Sequence, residues 1–183
     1  MTVPGTDALR GPLAAHSRRA ARPLGSVPLS GLQSGDELAR MQEWPLRSYL
    51  ELPAAPKSAR SARQHARSVL REWHLGAPAD TVELLVSEII TNAVRASADI
   101  ARQRDESGQA AHGAWMRFWL ISDGRNVLIQ VWDDDNHHPV CQRAGLDAEA
   151  GRGLLLIESL SLRWGCYALD AQGGKIVWAV CAG

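Results

Sequence analysis

The chain has 183 residues, 45% of them hydrophobic, and its 20 basic and 20 acidic residues cancel to a formal net charge of zero. That length fits one domain with a tail, and that apolar content supplies a core, which excludes a chain disordered throughout. The charge balance argues against a protein built chiefly to bind nucleic acid, and the absence of any apolar run of about 18 residues argues against a membrane span.

The N-terminal stretch carries arginines but no apolar segment of the kind a signal peptide needs. Cys141, Cys166 and Cys181 are an odd number without C-x-x-C spacing. They read as thiols of a reducing cytoplasm, not as a disulfide framework or a zinc site.

Residues 1–42 are rich in Ala, Gly, Pro, Ser and Arg and lack sustained periodicity, which predicts a flexible extension, mildly basic through Arg10, Arg18, Arg19 and Arg22. The folded domain is expected over 43–183. Leu46, Ser48, Leu50 and Leu52 alternate with Arg47, Tyr49 and Glu51, which predicts a first strand closed by Pro53 and Pro56. Lys57 to Trp73 reads as a helix with Ala59, Ala62, Ala66, Val69, Leu70 and Trp73 inward. Arg60, Arg63, Arg67 and Arg71 form a row on the adjoining face, read as solvated. After a turn at Gly76 to Pro78, Asp80 and Glu83 fit a capping pair at the start of a second helix reaching about Ala98.

On that second helix, Val82, Leu85, Val86, Ile89, Ala93 and Ala96 make one apolar stripe, and Glu88 and Asn92 sit beside it one turn apart. An i, i+4 pair shares a helix face, so a carboxylate and a carboxamide project together from the edge of the core. Residues 102–113 are polar and predict a loop. Ala114 to Ile121 and Asn126 to Trp132 predict a hairpin turned at Asp123-Gly124. Asp133 ends the second of these strands, and a polar stretch of lid length follows from Asp134 to Ala150. Gly151-Arg152-Gly153-Leu154 reads as a glycine turn opening a short helix to Leu160; two strands, 161–169 and 175–181, close the chain around Gln172-Gly173-Gly174. Hairpins make such a sheet mainly antiparallel, with the helices on one face: a two-layer α/β sandwich of the α+β class.

Each chemical feature is weak alone. Two polar residues on a helix are most often solvated surface, and two glycines are most often a turn. Asp133, Asp134, Asp135, His137 and His138 cluster without the spacing of a closed metal-ligand set. Glycines before a helix do let backbone N–H groups approach an anion.

Their order carries a resemblance. Glu88-Ile-Ile-Thr-Asn92 resembles the N-box of the GHKL ATPase superfamily, Asp133 the aspartate of its first glycine box, Gly151-Arg-Gly-Leu154 its second glycine box, and Gly174-Lys-Ile-Val-Trp178 its closing strand. Within it, Val86 to Val94 and Gly151 to Leu154 are similar to the small bacterial anti-sigma-factor serine/threonine kinases. The resemblance covers roughly residues 46–181. It implies that Asn92 holds Mg²⁺ bridging the ATP phosphates and that Glu88 is the general base. Asp133 would accept a hydrogen bond from the adenine amino group, while Gly151, Arg152, Gly153 and Leu154, with Arg95, would lie at the phosphates. Two departures stand out: Asp135 occupies the place of the glycine in the usual Asp-x-Gly, and Ile176 stands where the last strand often offers a threonine. The implied activity is a kinase acting on an anti-sigma-factor antagonist, with a sigma factor as second partner and hence a role in transcription regulation. The implied state is a cytoplasmic homodimer, without direct nucleic-acid or membrane contact. The alternative is a non-catalytic nucleotide-binding interaction module. A histidine-kinase catalytic domain fits less well, because no phosphoacceptor helix precedes residue 46.

Overall fold

The computed structural model describes residues 35–106, 114–135, 149–169 and 173–183. The elements in chain order are α1 (Gly35–Gln42), β1 (Leu46–Pro53), α2 (Ser58–Glu72), α3 (Ala79–Glu106), β2 (Trp115–Ser122), β3 (Val127–Asp133), α4 (Glu149–Leu160), β4 (Arg163–Ala168) and β5 (Lys175–Cys181). The strands form one five-stranded sheet in the order β1-β2-β3-β5-β4. Every neighbouring pair is antiparallel. This is the α+β sandwich that the hairpin pattern predicts.

Alternation assigns the sheet faces. Leu50 and Leu52 of β1, Met116, Phe118 and Leu120 of β2, and Val127, Ile129 and Val131 of β3 point toward the helices. They meet Ala62, Ala66, Val69 and Leu70 of α2 and Val82, Leu85, Val86, Ile89, Ile90 and Ala93 of α3, one continuous apolar core. Each such side chain is worth about 1.5–3 kcal/mol when fully withdrawn from water. The β2–β3 turn is fixed by Asp123, whose carboxylate accepts the backbone N–H groups of Arg125 and Asn126 at 2.8 and 2.6 Å. Gly124 follows it with φ +91°, the left-handed conformation that glycine takes without a side-chain penalty.

The structure corrects the expected boundaries in four places. Residues 35–42, read as the end of the extension, form α1, which lies on the outer face of the sheet. Leu38 is 1% exposed there, packed with Ile121, Leu128, Trp178 and Val180. The cause is that this end of the outer face is itself apolar and has to be covered. Residues 1–34 lie outside the described residues.

Second, α3 runs from Ala79 to Glu106, so Asp80 sits in its first turn rather than capping it, and 102–106, read as loop, are helical. Glu83 instead takes the Arg67 guanidinium through two hydrogen bonds of 2.6 and 2.7 Å. Third, Arg63 donates to Ser87 Oγ at 3.0 Å. Two members of the arginine row therefore tie α2 to α3 instead of facing only solvent. Fourth, α4 starts at Glu149, which puts Gly151 and Gly153 inside its first turns rather than ahead of it.

Gly174, just before β5, has φ +82°. A Cβ built there would run into the Asp133 carbonyl oxygen and the Trp132 ring. We expect Gly174→Ala to lower stability by at least about 1–3 kcal/mol, the cost of a left-handed non-glycine residue alone. Urea unfolding of the two proteins checks this; equal midpoints would contradict it.

Candidate functional site

The site is built where α3 meets α4 on the helix-covered face of the sheet. The apolar stripe of α3 seats that helix on the sheet, and this fixes the directions of the residues bordering it. Glu88 and Asn92 are half-buried on that border. Neither side chain has a hydrogen bond or ion pair among the described residues. Half-buried groups of this kind are satisfied by water or by a ligand.

Opposite them comes α4. A Cβ on Gly153 would approach Glu88 Oε2 to 2.7 Å, and the Asn92 Nδ2 and Oδ1 atoms to 3.6 and 3.7 Å. The backbone of α4 thus lies directly on the Glu88 carboxylate and in contact range of Asn92, so that a side chain at 153 would displace the carboxylate. By helix geometry the first N–H groups of α4, that of Gly151 among them, have no intrahelical acceptor, whereas those of Arg152 and Gly153 already fall within the hydrogen-bonded ladder. Gly151 therefore has an N–H group available to an anion, while Gly153 supplies close approach. Leu154 is partly buried against the main core and anchors α4 in place.

The other end of the site is Asp133, the last residue of β3 and 1% exposed. Its side chain shares the helix-facing side with Val131. Ser97 of α3 reaches this end by donating to Asp134 Oδ1 at 3.3 Å. Ser97 is five residues beyond Asn92, about 7.5 Å along the helix axis. The carboxylate–carboxamide pair and Asp133 therefore mark two ends of one elongated site running along α3.

Lys175, the first residue of β5, was not singled out in the sequence, and it is the main addition. It pairs across the sheet with Asp133. Its Nζ lies 2.9 Å from Asp133 Oδ1 and 2.5 Å from Asp135 Oδ2. The backbone N–H of Asp135 donates to the same Asp133 oxygen at 3.0 Å. Ile176 pairs with Trp132 instead and belongs to the other sheet face, so it is Lys175 that supports the aspartate. Burial pushes the Asp133 carboxyl up to about 6, and the Lys175 charge and hydrogen bond oppose that rise. One signal was available beforehand: Lys175 is the only charged residue in an otherwise apolar strand. Its meaning required the β3–β5 register.

Arg95 is exposed on α3 and has no bond among the described residues that would draw it into the site. The side chain of Arg152, the lid-length stretch 136–148 and with it His137 and His138 lie outside the described residues. A cavity of about 460 Å³ opens at the opposite end of the sheet, lined by His74 to Pro78, Gly124 to Asn126 and Gly183. It contains none of the paired polar groups above, and we place the chemistry at α3 and α4 rather than there.

An antiparallel sheet, a helix presenting a carboxylate–carboxamide pair, and a glycine-bearing helix laid on that pair are compatible with a nucleotide-binding module of the ATPase type. Residues 52–180 match the model of the histidine kinase-like ATPase domain, and the chain belongs to that family, the GHKL-type ATPases. No curated relative matches the chain. Membership makes it an ATP-binding regulatory protein. No helix among the described residues is long and apolar enough to cross a membrane.

Proposed function

We propose that this protein is an ATP-dependent serine/threonine kinase of the anti-sigma-factor type. Its substrate is a serine of an anti-sigma-factor antagonist, and in its other state it holds a sigma factor, as a cytoplasmic homodimer. The observation that supports this reading best is the unpartnered Glu88/Asn92 pair facing Gly153.

The residues suit the chemistry. The Asn92 carboxamide oxygen is a hard donor of the kind Mg²⁺ takes alongside phosphate oxygens, and the Glu88 carboxylate is one turn away. Bound Mg²⁺ supplies neutralisation of charge on the transferring phosphoryl group. Glu88 is the group positioned to take the proton from a serine hydroxyl. The first turn of α4, with the free N–H of Gly151, suits phosphate oxygens, aided by the positive end of the helix dipole. Asp133 suits the base. Catalysis in such a site is mainly positioning and electrostatic stabilisation.

A second reading, a nucleotide-binding module that controls a partner without transfer, is favoured by one observation: Asp133 is already engaged by Lys175. Incubation with γ-labelled Mg-ATP and candidate antagonist proteins separates the two. Label on an antagonist serine is the expected result. Nucleotide binding with no transfer to any candidate favours the module, and failure to bind Mg-ATP in calorimetry would sink both.

A further inference from the structure

The base end of the site holds a buried cation. Lys175 is 4% exposed, Asp133 1% and Asp135 9%. The ammonium bridges the two carboxylates at 2.9 and 2.5 Å, and each contact is a charge-assisted hydrogen bond. The arrangement is set by the sheet, since Asp133 and Lys175 are directly opposite in the β3–β5 register. Among the described residues only one oxygen of Asp133 is used: Oδ1 takes both the Lys175 ammonium and the Asp135 N–H.

Withdrawal from water favours the neutral form of a carboxyl group, and an adjacent ammonium favours the charged form. These two influences meet at Asp133, and Asp135 adds a third that again favours the neutral form. The outcome decides what Asp133 offers a ligand. An ionised carboxylate only accepts hydrogen bonds, whereas a protonated one also donates. A 6-amino purine brings a donor to that point, and a 6-oxo purine in the same pose brings an acceptor.

We propose that Lys175 is a specificity-determining residue of the nucleotide site: by bridging Asp133 and Asp135 it keeps Asp133 an acceptor, and so makes the site choose a 6-amino over a 6-oxo purine nucleotide. The proposal rests on the ATP-binding reading of this cleft. The charged groups acting on Asp133 among the described residues are Lys175 from β5 and Asp135 from the segment after β3. Asp134, next in the chain, faces Ser97 of α3.

The test is calorimetric binding of Mg-ATP and Mg-ITP across pH, for the native chain, Lys175→Met and Asp135→Asn. In the native chain ATP affinity should fall as pH drops through about 6, where Asp133 takes up its proton. Above that range the preference for ATP over ITP should be about tenfold or more, the scale of one mismatched buried hydrogen bond. Lys175→Met should move the acid loss of ATP binding to higher pH and shrink the preference at neutral pH. Asp135→Asn, which removes the charge opposing ionisation, should move it to lower pH. A merely structural role for the bridge would not shift the two variants in opposite directions.

Lys175→Met leaves two buried carboxylates without a counter-charge. If it fails to fold, Asp135→Asn carries the test, and an unmoved midpoint there overturns the proposal. So does tighter ATP binding by Lys175→Met, which would show that the ammonium obstructs the base. Native protein that binds neither nucleotide overturns the ATP-binding reading along with the proposal, whereas variant results alone bear only on Lys175.

Discussion

Glu88→Gln should lower phosphoryl transfer by about 10²–10⁴-fold, the usual contribution of a positioned general base, while Mg-ATP affinity stays within roughly twofold. The amide keeps the shape of the carboxylate and its place against Gly153 but cannot take a proton. Asn92→Ala should behave in the opposite way. Removing the oxygen we propose for magnesium should weaken Mg-ATP binding by roughly tenfold or more, with transfer falling in consequence. The two side chains share one helix face and one neighbour, so their separate roles are a chemical claim, not a matter of location. Calorimetry together with single-turnover transfer measures both quantities. Equal losses of ATP affinity in the two variants would defeat this division of roles.

Gly153→Ala is the second substitution with a large expected effect, and it should split stability from activity. Glycine in a helix is worse than alanine by about 1 kcal/mol, so the change should leave stability unaltered or raise it by up to about that amount. The new methyl group would meet Glu88 Oε2 at 2.7 Å. That oxygen is the end of a flexible side chain and can swing away at little cost to the fold. The swing displaces the base by an ångström or more, and displacements of that size cost on the order of 10²-fold in rate. Thermal unfolding and transfer measured on the same preparation decide it. A variant that is less stable yet equally active would show that Gly153 serves packing alone.

Much of the architecture was legible because each element obeys one period. β5 reads as an apolar run after Lys175, α2 shows its stripe, and Asp123-Gly124 marks its hairpin. Glu88 and Asn92 were legible for the same reason, since helical spacing alone puts them on one face. What stayed hidden depends on contacts between segments far apart in the chain. The partner of Asp133 is 42 residues away, and only the pairing of β3 with β5 shows it to be Lys175 rather than Ile176. The helix at 35–42 was obscured because a single turn or two around Leu38 gives no period to detect, and its burial comes from a sheet face formed by later strands. The start of α4 was missed because two glycines ordinarily end helices, and here tertiary packing on Glu88 and Asn92 overrides that local preference.

The position of β5 has a consequence for how the protein is made. It is the last of the five described strands in sequence, yet it lies inside the sheet between β3 and β4. While synthesis is under way, β3 must therefore wait with an open edge, and Asp133 waits in water until Lys175 emerges. Non-local pairing of this kind slows folding and leaves strand edges exposed. Nascent chains stalled before residue 175 should accordingly be sensitive to protease and prone to bind chaperones, and release of β5 should be the step that seals the nucleotide site and the sheet together.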